Sequence, residues 1–75
     1  MVNFKIAGKS WTSDDMLVVI PCRYKELFEG HSFRDKETFS RALMFASCAA
    51  EAWYYDRNWV AERDERSLKE VLALN

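Results

Sequence analysis

Between Ala42 and Ala50 the chain carries one polar residue, Ser47, and everything else it folds into must accommodate that stretch. Phe39, Leu43, Ala46, Ala50 and Trp53 recur at spacings of four, three, four and three, the period of one helical face. Ala42, Phe45, Ala49 and Ala52 widen the stripe on one side, and Met44 and Cys48 lie on the far side. A helix apolar around so much of its circumference must be covered, because water solvates such a surface poorly. Its start is legible too. Asp35 is a good N-cap, able to accept from the amide of Thr38, and Glu37 places a negative charge in the first turn, where it complements the helix dipole.

The second helical segment runs from Val60 to Leu74. Val60, Asp64, Leu68, Val71 and Leu72 form a narrower apolar stripe with one acidic interruption, and Glu62–Arg66 and Glu65–Lys69 are acid-first i,i+4 pairs. Asn58 is the expected break between the two helices, although neither Gly nor Pro enforces it. One continuous helix from Lys36 to Leu74 is the alternative.

The first third favours strands. Val2, Phe4 and Ile6 alternate with Asn3 and Lys5 at a period of two. Residues 8–15 read as a polar connection broken by Trp11. Met16 to Ile20, with Val18, Val19 and Ile20 in a row, reads as a buried strand ended by Pro21. Over Arg23–Phe33 two readings compete. Tyr24, Leu27 and Phe28 between Pro21 and Gly30 suit a short helix, whereas Leu27-Phe28 and Ser32-Phe33 around Glu29-Gly30-His31 suit a hairpin; the hairpin or an irregular arm is preferred. The fold class expected is therefore α+β: a small N-terminal antiparallel β-hairpin or sheet packed on a long apolar α-helix, followed by a C-terminal helix. Residues 1–75 form one small domain, β-rich over 1–33 and helical over 35–74.

In a chain of 75 residues, one core rarely supplies more than about 3–5 kcal/mol against the entropy lost on folding. Self-association is the expected support, most simply a homodimer joined along Phe39, Leu43, Ala46, Ala50 and Trp53. A helix covered by its own sheet is the alternative.

Little in the sequence suggests catalysis. His31 is the sole histidine, Cys22 and Cys48 lie 26 positions apart without a CxxC pair, and Gly8 and Gly30 are too distant for a phosphate loop. A metal site would need carboxylates to complete it, so no metal and no cofactor is expected. The cysteines read as small buried hydrophobes, His31 as an exposed loop residue, and the pairs Asp14-Asp15 and Asp64-Glu65 as solvated charge. Non-enzymatic function follows. No apolar run approaches the roughly 20 residues of a membrane span, and no secretory leader is evident, so the expected location is cytoplasmic.

Nucleic acid is the secondary reading. Arg34, Lys36 and Arg41, and then Arg57, Arg63 and Arg66, form two basic clusters, but each is interleaved with acids, and the formal net charge is −1. That balance weakens the electrostatic attraction on which phosphate binding depends.

The segment Trp53-Tyr54-Tyr55-Asp56-Arg57-Asn58-Trp59 points to protein recognition. Trp, Tyr and Arg are the residues enriched at interface hot spots, and three consecutive rings about 100° apart on a helix cannot all enter one core. Tyr55 and Trp59, four apart, are expected on one face. Tyr54, Tyr55, Arg57 and Trp59 are thus the expected partner-binding residues and Trp53 a core ring. In composition (short, aromatic-rich, near-neutral, without catalytic motifs) the chain resembles the small accessory proteins of bacteriophages. That resemblance implies a protein that inhibits or modulates a larger host protein by occupying its surface.

Overall fold

The computed structural model describes residues 1–74. The architecture is α+β, with a three-stranded sheet followed by two long helices. Strand β1 (Asn3–Ile6) turns through Ala7 and Gly8 into β2 (Lys9–Thr12), Ile6 pairing with Lys9 and Asn3 with Thr12. Both turn residues have positive φ, 52° and 81°, the pattern of a type I′ turn, whose twist matches the flanking strands. A 3₁₀ turn (Cys22–Tyr24) and the one-turn helix α1 (Lys25–Phe28) then carry the chain back to β3 (Ser32–Phe33), which lies parallel to β1. Helices α2 (Lys36–Tyr54) and α3 (Asn58–Ala73) complete the fold.

The core joins these elements through four phenylalanines. Phe39 of α2 stacks on Phe4 of β1 with centroids 4.6 Å apart and meets Phe33 of β3 and Phe28 of α1 edge-on at 5.1 and 6.2 Å. All four are buried. Behind them Ala42, Ala46, Ala49 and Leu68 are buried, and the alanines let the backbone of α3 approach α2 closely. The broad apolar surface of α2 is thus largely covered by the chain itself. Phe39 and Ala46 are enclosed, while Leu43, Ala50 and Trp53 are half-buried. Of the stripe expected to join two copies, Phe39 and Ala46 are thus covered by the chain itself, whereas Leu43, Ala50 and Trp53 keep part of their surface in water.

Three local expectations are corrected. Met16 to Ile20 is not a buried strand. Asp15 accepts from the amide of Thr12 while its own amide donates to the Thr12 hydroxyl, both at 3.1 Å, and this reciprocal cap turns the chain out of the sheet. Strand β2 lies instead at Lys9–Thr12, inside the stretch read as a connection, because a two-residue turn pairs β1 with its nearest neighbour in sequence. Residues 23–33 do not form a hairpin. The short helix forms, and Gly30 at φ 72° ends it, its amide donating to the Asn3 carbonyl at 2.6 Å. The other flank of β1 then takes β3.

At the start of α2, Asp35 accepts from the Thr38 amide at 2.8 Å and from its hydroxyl at 2.7 Å. At its end, the break before Asn58 is a Schellman cap. The Arg57 amide donates to the Ala52 carbonyl at 2.8 Å and the Asp56 amide to that of Trp53 at 3.2 Å, with Asp56 left-handed at φ 56°. Aspartate tolerates that conformation better than most residues, which is how the chain breaks here without glycine. Helices α2 and α3 are therefore separate and pack against each other.

Candidate functional site

The cap at Asp56 decides how Trp59 is set relative to Trp53, Tyr54 and Tyr55. Trp53, in the last regular turn of α2, is half-buried, and its indole Nε1 donates to the Tyr24 hydroxyl at 3.1 Å. Tyr54 and Tyr55 are 80% and 64% exposed, and their rings meet edge-to-face at 5.0 Å. Trp59, in the first turn of α3, is 71% exposed, with the guanidinium of Arg63 5.4 Å from its centroid. Arg57 is exposed between them. The four expected partner-binding residues thus share one corner on the surface. One detail is corrected: Tyr55 and Trp59 are not an i,i+4 pair on one helix, because the chain leaves the α-helix between them.

Below the corner, the two helices bound a shallow groove. Cys48, Glu51 and Tyr55 form one wall, and Arg57, Val60 and Arg63 the other. Cys48 and Cys22 are both free and exposed, contrary to the expected burial. Asp64 is corrected as well. It is buried, on the face of α3 that carries Ala61 and Leu68, and accepts from Arg63 Nε at 3.3 Å. His31 is half-buried, its ring 4.6 Å from that of Phe33, and loss of water holds its pKa below the usual histidine value.

The opposite side of the corner is a polar latch. The buried Tyr24 hydroxyl accepts from Trp53 and donates to Glu65 Oε2 at 2.8 Å, and Lys69 Nζ lies 3.4 Å from Glu65 Oε1. The Arg23 guanidinium stacks over Trp53 at 4.4 Å. One tyrosine therefore ties the 3₁₀ turn to both helices. Glu65 is held below its ordinary pKa, first by the Tyr24 hydroxyl and then by Lys69, against some desolvation. Tyr24 is raised, by burial first and the neighbouring carboxylate second.

A pH dependence follows. A carboxyl with a lowered folded pKa stabilises the fold above its unfolded value, about 4.3, and that stabilisation is lost as pH falls through the lowered folded value. A phenol with a raised pKa does the reverse, stabilising below about pH 10 and losing the effect as pH rises through the raised value. The latch is thus complete at neutral pH and released at both extremes. Tyr24→Phe is expected to cost about 1–3 kcal/mol, because Trp53 and Glu65 lose a buried partner, and to flatten both limbs. Thermal melts against pH check this; an unchanged acid limb would show that the latch does not carry it.

Among the described residues, no three His, Cys, Asp or Glu side chains gather as metal ligands would, and no helix is long and apolar enough to cross a membrane. Comparison with protein-family models, curated proteins and solved structures finds no match.

Proposed function

We propose that this chain is a cytoplasmic, non-enzymatic binding protein that inhibits or modulates a larger protein by occupying its surface, in the manner of small phage accessory proteins. The observation that carries this reading is the corner of Tyr54, Tyr55, Arg57 and Trp59. There three large rings stand mostly in water on a backbone fixed by a Schellman cap and backed by the Tyr24 latch. Tyr and Trp side chains have few rotatable bonds and so lose little conformational entropy on binding, and each offers a large apolar area with a polar handle. A core requires none of these three rings, since the four phenylalanines and the alanines of α2 already form it.

Affinity capture from lysate by the intact protein, compared with Tyr55→Ala and Trp59→Ala proteins, tests the proposal. A partner retained by the intact chain and lost by both variants supports it. Equal capture by all three refutes the corner as the site. Nucleic acid is the reading it must beat. With acids interleaved in sequence among Arg34, Lys36, Arg41, Arg57, Arg63 and Arg66, few phosphates can be neutralised without also approaching carboxylates. Log affinity for DNA or RNA is accordingly expected to fall only gently with log salt, and tight binding to a defined sequence at physiological salt would reverse the ranking.

A further inference from the structure

The inner face of the sheet is covered unevenly. Ile6 stands opposite Lys9 and Phe4 opposite Trp11 across β1 and β2, and directly opposed residues project to the same side of a sheet, so Lys9 and Trp11 share the face that carries Phe4 and Ile6. Phe39 of α2 packs on Phe4 and Phe33, the rings of β1 and β3. Over β2 lies no such ring among the described residues, and Trp11, whose large apolar surface would gain from cover, stays half-buried. Ile6, Trp11 and Met16 instead line a recess of about 400 Å³ beside the first turn of α2, within the size range of small-molecule sites.

Charge selects what the recess takes. Lys9 and Lys36 are the cations that line it, both exposed, and neither forms an ion pair among the described residues. Asp35, the acid that lines it, is already engaged: one carboxylate oxygen accepts from Thr38 and the other from Arg34 Nε at 3.2 Å. The Lys9 ammonium lies 4.7 Å from the Trp11 centroid, so a positive charge and a flat apolar surface stand side by side. We propose that this recess binds a small aromatic carboxylate, its ring against Trp11 and Met16 and its carboxylate between the ammoniums of Lys9 and Lys36. Two unpaired cations favour an anion over a neutral ligand, and the indole and thioether favour a ring, because aromatic pairs and sulfur–aromatic contacts add to what the buried area supplies. The site lies at the opposite end of α2 from the aromatic corner, roughly 27 Å away along a helix of 19 residues, and is independent of the partner reading.

Titration with naphthoate, followed by NMR on the isotope-labelled protein, tests it. Naphthalenemethanol supplies the ring without the charge, and acetate the charge without the ring. Naphthoate is expected to saturate with a dissociation constant of about 1 mM or lower, shifting the Trp11 indole and the amides of Ile6, Lys9, Met16 and Lys36. Both controls should bind about tenfold more weakly. The double variant Lys9→Gln, Lys36→Gln should melt like the parent, since both side chains stand in water. It should bind naphthoate only as weakly as the uncharged analogue, whose own affinity stays unchanged. A loss of packing alone would lower both affinities together. No saturable shift, shifts centred on another face, equal affinity for the uncharged analogue, or an affinity indifferent to the double substitution would overturn the proposal.

Discussion

Phe39→Ala is expected to abolish the folded state. The ring is buried, stacks on Phe4 at 4.6 Å and meets Phe28 and Phe33 edge-on, so its removal leaves a cavity shared by β1, β3, α1 and α2. Truncating such a ring costs about 3–5 kcal/mol, and a core of this size supplies about the same in total. Far-UV circular dichroism should show no cooperative melt. Met44→Ala, on the exposed side of the same helix, should stay within about 0.5 kcal/mol of the parent. A cooperative melt for Phe39→Ala near the parent temperature would show that the phenylalanine cluster is not what unites sheet and helices.

Tyr55→Ala and Trp59→Ala should have the opposite profile. Both rings stand mostly in water, so the melting temperature should hardly move. Partner affinity should fall by about 2 kcal/mol or more, roughly 30-fold, the loss expected of an interface hot spot. Trp53→Ala is the control that separates the two roles. It deletes the donor to Tyr24 and the surface on which Arg23 stacks, so stability should fall first and affinity only through it. If all three variants lose stability and affinity in proportion, the corner is a structural joint and not a binding site.

These contrasts rest on how the corner is made, which shows where reading the sequence stops. The spacing of Phe39, Leu43, Ala46, Ala50 and Trp53 requires a helix whatever surrounds it, and the Asp35–Thr38 cap needs only neighbours three residues apart. Both are local, so the sequence alone determines them. The same holds for the alternation of β1 and, more weakly, for the break near Asn58. The placement of Trp59 relative to Tyr54 and Tyr55 follows from one left-handed residue, Asp56, whose type permits that conformation without demanding it.

The tertiary structure decided what depends on competition between distant segments. Val18-Val19-Ile20 has the better strand sequence, yet β2 and β3 flank β1, because one is reached through a two-residue turn and the other is delivered by α1. Strand propensity is a preference for a pleated site, and the sheet has two flanking places beside β1. Likewise, the apolar stripe of α2 specifies that something must cover it but not what. The close approach of α3 over alanines and the four-phenylalanine core cover much of it with the chain itself. Periodicity reports which face seeks burial, and only three-dimensional packing names the partner that provides it.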